Sequence, residues 1–189
     1  MTNDAREIDE LAQRWGTPYR DEMIVEASPE FFNPWGGGWQ RRRGEVLFVL
    51  PRPGGLLLHR KADYPRTAWR FPTGGIDDGE RIEAALWREL DEEIGLPLTV
   101  QRYLALIRYE VRMGAQCYHF VTHCFLMAHS ADPLRGSDAA ECFDTRIVSL
   151  DELPAAALAL ESLDPPWHEW GLFRARAHRL VSKLGWACV

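Results

Sequence analysis

Gly74-Gly-Ile-Asp-Asp-Gly-Glu80-Arg-Ile-Glu-Ala-Ala-Leu-Trp-Arg88-Glu89-Leu90-Asp-Glu92-Glu93-Ile-Gly95-Leu96 is the stretch on which both fold and chemistry turn. A Gly-rich segment over Thr73–Gly79 reads as a turn, and a helix is expected from about Glu80 to Ile94. Gly95 supplies its C-cap and Pro97 prevents continuation. Glu89, Glu92 and Glu93 stand at i, i+3 and i+4, so they share an arc of about 100° on one helix face. Like charges at that spacing repel and weaken a helix. The cluster becomes favourable when a hard cation sits among the carboxylates, and oxygen-only ligands suit Mg²⁺ or Mn²⁺. Taken alone, such a cluster is more often a solvated acidic face, with Arg88 pairing Glu92 for about 0.2–0.5 kcal/mol.

The spacing of the neighbours changes that balance. The stretch resembles the Nudix box, G-x5-E-x7-R-E-U-x-E-E-x-G-U with U a large aliphatic residue. Gly74, Glu80, Arg88, Glu89, Leu90, Glu92, Glu93, Gly95 and Leu96 meet every fixed position. At average residue usage a chance match in a chain of this length is on the order of 10⁻⁷, so the pattern is specific although it covers few residues. Leu56–Arg60 and Trp69-Arg-Phe-Pro72 look like the strand and entry that usually precede the box. Thr73 stands where Gly is more usual.

The resemblance implies roles residue by residue. Glu89, Glu92 and Glu93 would hold Mg²⁺ or Mn²⁺, and Arg88, counted among the catalytic residues, would orient Glu89 or Glu80. Glu80 is expected to tie the loop to the helix, and Gly74 and Gly79 to permit a tight turn beside metal and phosphates. Leu90 and Leu96 would anchor the helix, helped by Ile82, Leu86 and Ile94. The reaction implied is attack of water on a diphosphate linkage, with Glu89 or Glu141 as base. Glu141 lies in a later loop where related proteins place an extra acidic ligand, so it is a candidate for metal as well; Asp144 is the weaker substitute. Arg60, then Arg70 and Arg66, are candidates for phosphate contact. Gly74 belongs with the substrate-binding set. Trp69 and Tyr118 are candidates for base stacking. Strand alternation places Cys117, His119 and His123 on one face, a conceivable zinc set whose spacing along a single strand is poor for closing a tetrahedron.

Outward from the box, residues 4–15 read as an amphipathic helix through Ile8, Leu11, Ala12 and Trp15, and a strand-like stretch covers Met23–Glu26. Glu45–Leu50 and Leu56–Arg60 read as two strands of a hairpin joined by Pro51–Gly55. A short strand is expected at Trp69–Phe71, two longer ones at Thr99–Val111 and Cys117–Ala128, and another at Arg146–Ser149. Ser149–Glu152 reads as a capping box. A final helix over Glu169–Leu184 would bury Trp170, Phe173, Ala177, Leu180 and Leu184. The fold class is therefore α+β, a mixed sheet sandwiched between helices (α/β/α), forming a single domain over 1–189 with 1–40 as an N-terminal extension.

Bulk properties agree. The chain has 189 residues, 46% of them hydrophobic and 26% charged, with a formal net charge of −6. That charge argues against general nucleic-acid binding. Four cysteines without CxxC pairing read as reduced thiols. The polar, acidic start does not read as a signal peptide and no apolar run could span a bilayer, so a cytoplasmic protein is expected. The expected partner is a small nucleotide, a nucleoside diphosphate linked to another group, and the resemblance makes a homodimer conceivable. Two competing readings are a prenyl-diphosphate isomerase, which wants extra Cys and Glu proton donors, and a sensing module without turnover, which often loses box glutamates. Here none is lost.

Overall fold

A computed structural model describes residues 3–32, 42–135 and 143–185. The Asn33–Trp39 loop, Glu141, Cys142 and Cys188 lie outside the described residues. Helix α1 (Asn3–Trp15) leads into strand β1 (Tyr19–Glu26) and the short helix α2 (Pro29–Phe32). Strands β2 (Arg42–Val49), β3 (Pro51–Arg52), β4 (Gly55–Lys61) and β5 (Thr73–Asp77) precede helix α3 (Ile82–Glu93). Strands β6 (Val100–Met113), β7 (Gln116–Met127) and β8 (Phe143–Val148) follow, then a 3₁₀ turn at Leu150–Glu152 and helices α4 (Leu153–Glu161) and α5 (His168–Leu184).

One sheet has the order β1-β6-β7-β2-β5, with β1–β6 and β7–β2 parallel and the other pairs antiparallel. A second, antiparallel sheet has the order β3-β4-β8. Period-2 alternation sends Val46 and Phe48 to one face of the larger sheet and Leu47 and Val49 to the other. The first face packs on α1, through Ile8 and Leu11, and on α3, through Ile82, Ala85, Leu86 and Leu90. The second packs on α4 and α5, with Trp170, Phe173, Ala177 and Leu180 inward as the helical spacing predicts. A register shift between Tyr103 and Ala105 moves Tyr103 and Leu106 onto the same face although they stand three positions apart. No helix among the described residues is long and apolar enough to cross a membrane.

Three local expectations are corrected. The Glu45–Leu50 and Leu56–Arg60 strands do not form a hairpin with each other. The chain passes from one sheet to the other at Leu50, and Pro51–Arg52 pairs with Gly55–Leu56 instead. Nor does Trp69–Phe71 form a strand: only Arg70 bridges His59, while Thr73–Asp77, expected to be a turn, pairs with β2 as an edge strand. Glycines at 74 and 75 concealed that strand. The capping box at Ser149 and Glu152 forms as expected.

The two helical layers bury two histidines with opposite neighbours but one consequence. His178 donates from Nδ1 to the Arg174 carbonyl at 3.1 Å and lies tilted against the Phe71 ring, while His123 Nδ1 lies 2.5 Å from the Tyr103 hydroxyl. Burial pushes His178 down to about 4 and His123 down to about 3. Below the ordinary value of 6.5 the unfolded chain therefore binds more protons than the folded one. Stability is fully present above that value and is lost as pH falls toward the two folded values. At about pH 5 each histidine is expected to cost roughly 2 kcal/mol. Urea unfolding should show this loss between about pH 7.5 and pH 5, with His178→Gln reducing the difference; equal stability at both would contradict it.

Candidate active site

Helix α3 forms because burial outweighs repulsion. Ile82, Leu86 and Leu90 are buried along one stripe, worth about 1.5–3 kcal/mol each, against a few tenths for each like-charge pair among Glu89, Glu92 and Glu93. Gly95, at φ +66°, ends it, its N–H donating to Leu90 O at 2.9 Å. Gly79, at φ +76°, closes the turn before it, and Glu80 N–H donates to the Asp77 carbonyl.

Arg88 is the knot of the site. Its Nε and Nη2 donate to the two Glu80 oxygens at 2.9 Å each, and Nη2 also donates to the Gly75 carbonyl at 2.9 Å. Its Nη1 donates to Glu89 at 2.8 Å and to Glu92 at 3.1 Å. Glu80 in turn accepts the Asp77 N–H at 3.0 Å, so one carboxylate binds loop to helix. Arg88 holds Glu80 below the usual carboxylate range. Glu89 shifts the other way: burial, aided by the charge of Glu92, raises its proton affinity despite Arg88. Side-chain exposure is 12% for Glu89, 43% for Glu92 and 9% for Glu93. Behind Glu93 stands buried His59, its Nδ1 3.9 Å from Glu93 Oε2.

The glycines before the helix leave room for this cluster. A Cβ on Gly74 would lie 2.0 Å from Glu89 Cδ, and one on Gly75 would lie 2.7 Å from the Arg42 guanidinium carbon. Exposed Arg42 therefore reaches over Gly75 toward Glu89, whose acidity it favours. Its carbonyl accepts the Tyr118 hydroxyl at 2.9 Å.

The other arginines are more committed. Arg60 pairs with Asp144 and lies 5.3 Å over Trp69. Arg70, at 3% exposure, donates to Thr73 Oγ1 at 2.9 Å and to the Phe71 carbonyl, so it presents no open guanidinium to a phosphate. Arg66 and Trp69 line a cavity of about 230 Å³ between β4, β8 and α4. Cys117 and His119 are exposed neighbours 3.9 Å apart, whereas His123 is buried.

The Nudix domain family model matches residues 40–171. The chain belongs to the Nudix family. Its box residues Glu80, Arg88 and Glu89 thus meet in one hydrogen-bonded unit, with Glu92 on its rim. A stretch of 70 residues is 51% identical to the RNA pyrophosphohydrolase of Aliivibrio fischeri (strain MJ11), covering 37% of this chain and 41% of that protein. Another of 58 residues is 43% identical to the RNA pyrophosphohydrolase of Rhodospirillum rubrum, covering 31% and 34%. The chain spans well under half the length of these curated relatives. Among solved structures, Tm1382, which is assigned to the Nudix hydrolases, shares 14% identity with a TM-score of 0.50 over 76% of this chain and 72% of that one, a likeness of fold alone.

The donor set fits a hard divalent cation in chemistry. Three carboxylates on one helix face offer oxygen only, and a cation would relieve the raised proton affinity of Glu89. Among the described residues, no three such side chains converge on one centre, and Arg88 holds Glu89 and Glu92.

Sequence reasoning missed Arg42, and it missed a buried polar link behind β5. Arg174 on α5 donates to both oxygens of Glu45 at 2.7 and 2.8 Å, and Thr122 donates to the same carboxylate at 2.8 Å. Glu45 is paired in register with Gly75. The available signal was a glutamate heading the apolar run Val46–Leu50, a costly position unless a cation meets it.

Proposed function

We propose that this chain is a Mg²⁺- or Mn²⁺-dependent pyrophosphohydrolase that cleaves the diphosphate linkage of a nucleoside diphosphate joined to another group. The observation that carries this is the Arg88 knot: one guanidinium ties Glu80, Glu89 and Glu92 together beside the Gly75 carbonyl. A divalent ion bound by Glu89, Glu92 and Glu93 would neutralise phosphate charge and lower the pKa of water. Glu141, outside the described residues, remains a proposed further ligand. Glu89 takes the proton from the attacking water, and its buried position favours that role. Arg88 fixes the direction of Glu89, and Arg42 is the open cation for a substrate phosphate. Gly74, grouped with the substrate-binding residues by the resemblance, instead leaves room for the Glu89 carboxylate. Arg60, held by Asp144, would contribute only on releasing it.

The names of the curated relatives favour a polyphosphate at an RNA terminus as one member of this class, while the net charge of −6 argues against general nucleic-acid binding and leaves small nucleotides open. A panel resolves the choice: nucleotide sugars, ADP-ribose, NADH, dinucleoside polyphosphates, nucleoside triphosphates and RNA with a 5′ polyphosphate. Each is incubated with Mg²⁺, with Mn²⁺ and with EDTA. Metal-dependent release of phosphate, diphosphate or a nucleotide from at least one member is expected. No release from any member with either ion would overturn the proposal.

A further inference from the structure

Arg81 stands at the N-cap of α3, and its side chain makes no capping hydrogen bond. A helix start leaves four backbone N–H groups without intrahelical partners, and an oxygen acceptor or a negative charge there is stabilising. The acceptor comes from α1, 75 positions upstream. Glu7, 5% exposed, accepts the Ile82 N–H at 2.7 Å through Oε1, which also accepts Arg81 Nε at 3.4 Å. Its Oε2 accepts Arg43 Nη2 at 2.9 Å, and that nitrogen donates again to the Glu80 carbonyl at 2.7 Å. Asp4 holds the other end of Arg43. From Glu80 the contacts run to Arg88, and from Arg88 to Glu89 and Glu92.

Packing alone does not set this register. Ile8 and Leu11 are buried, yet a cavity of about 210 Å³ opens beside them, lined by Asp4, Ala5 and Ile8 on one side and by Arg43, Ile82 and His123 among others. Close-packed side chains fix an interface; a hollow one leaves the task to its polar contacts. We infer that Glu7 is a positioning residue for the carboxylate helix. The N-terminal helix, outside residues 40–171, caps α3 in place of a local residue and steadies Glu80, hence Arg88 and Glu89. This role rests on the proposal that Glu89, Glu92 and Glu93 hold the metal.

The test uses the full chain, Glu7→Ala, Glu7→Gln and Glu10→Ala. Mn²⁺ affinity is read by electron paramagnetic resonance without substrate, and amide exchange is followed at Ile82–Ala85. Loss of a cap corresponds to about a fivefold change. Glu7→Ala should weaken Mn²⁺ binding and speed exchange by about that factor. Glu7→Gln, which keeps an acceptor but not the charge on Arg43, should fall between and serves if Glu7→Ala fails to fold. Glu10→Ala leaves the Ile82 cap intact and should change neither. Mn²⁺ affinity unchanged in both Glu7 variants, whatever their thermal midpoints, overturns the positioning role alone. Absence of Mn²⁺ binding by the unaltered chain overturns the metal assignment first and the positioning role with it.

Discussion

Gly74→Ala is expected to leave a folded protein with turnover reduced on the order of 10²-fold or more. The backbone is not the reason, since Gly74 lies in strand β5 without a positive φ and alanine can adopt its conformation. The added Cβ would lie 2.0 Å from Glu89 Cδ, 2.1 Å from Cγ and 2.1 Å from Oε2. Carbon atoms rest at about 3.5–4.0 Å, so the carboxylate must retreat by roughly 1.5 Å. Glu89 ends a flexible side chain, so the retreat costs the fold little. It does break the Arg88–Glu89 hydrogen bond and displaces the proposed base by more than catalysis tolerates. The diagnostic result is a split, with near-normal thermal midpoint and lost turnover. Turnover within a fewfold of the unaltered chain would mean that Glu89 does not act from beside Gly74.

The box region was legible because its information is local. Nine positions at fixed spacing specify a helix with one apolar stripe, Ile82, Leu86 and Leu90, and one acidic stripe, Glu89, Glu92 and Glu93. Both are consequences of a 3.6-residue turn, and the amphipathic α1 and α5 were legible on the same ground. Pairing is a different matter. Glu45–Leu50 and Leu56–Arg60 lie near one another with a Pro-Gly turn between them, which locally specifies a hairpin. What decides is β2's longer partnership with β7, 77 positions away at Glu45–Thr122, and no local pattern encodes it. Strand β5 was hidden because Gly74 and Gly75 signal a turn, whereas here they clear space for Glu89 and Arg42.

Long-range polar contacts escaped for the same reason. The box pattern includes Arg88 and Glu80, so their pairing could be expected. Glu7 with Ile82, Arg174 with Glu45 and Arg42 over Gly75 join segments whose proximity exists only in the folded chain. Arg60 and Arg70 were drawn in by their nearness to the box. Asp144 engages the first, and burial against Thr73 and Phe71 removes the second from solvent. An arginine count cannot distinguish an open guanidinium from one already paired.

Glu89→Gln at saturating Mg²⁺ bears most directly on the central claim. The amide keeps the size of the side chain and can still accept from Arg88, so fold and helix should survive. It loses the negative charge for the metal and the ability to take a proton from water. Removing a positioned base lowers rates by about 10²–10⁴-fold, and loss of a metal ligand adds to that, so a decrease of about 10³-fold or more in kcat/KM is expected. The measurement is kcat/KM for the best substrate of the panel, unaltered chain against Glu89→Gln, with circular dichroism confirming a folded variant. A loss of that size at unchanged fold is the predicted result; turnover equal to that of the unaltered chain would contradict the placement of the reaction at Glu89.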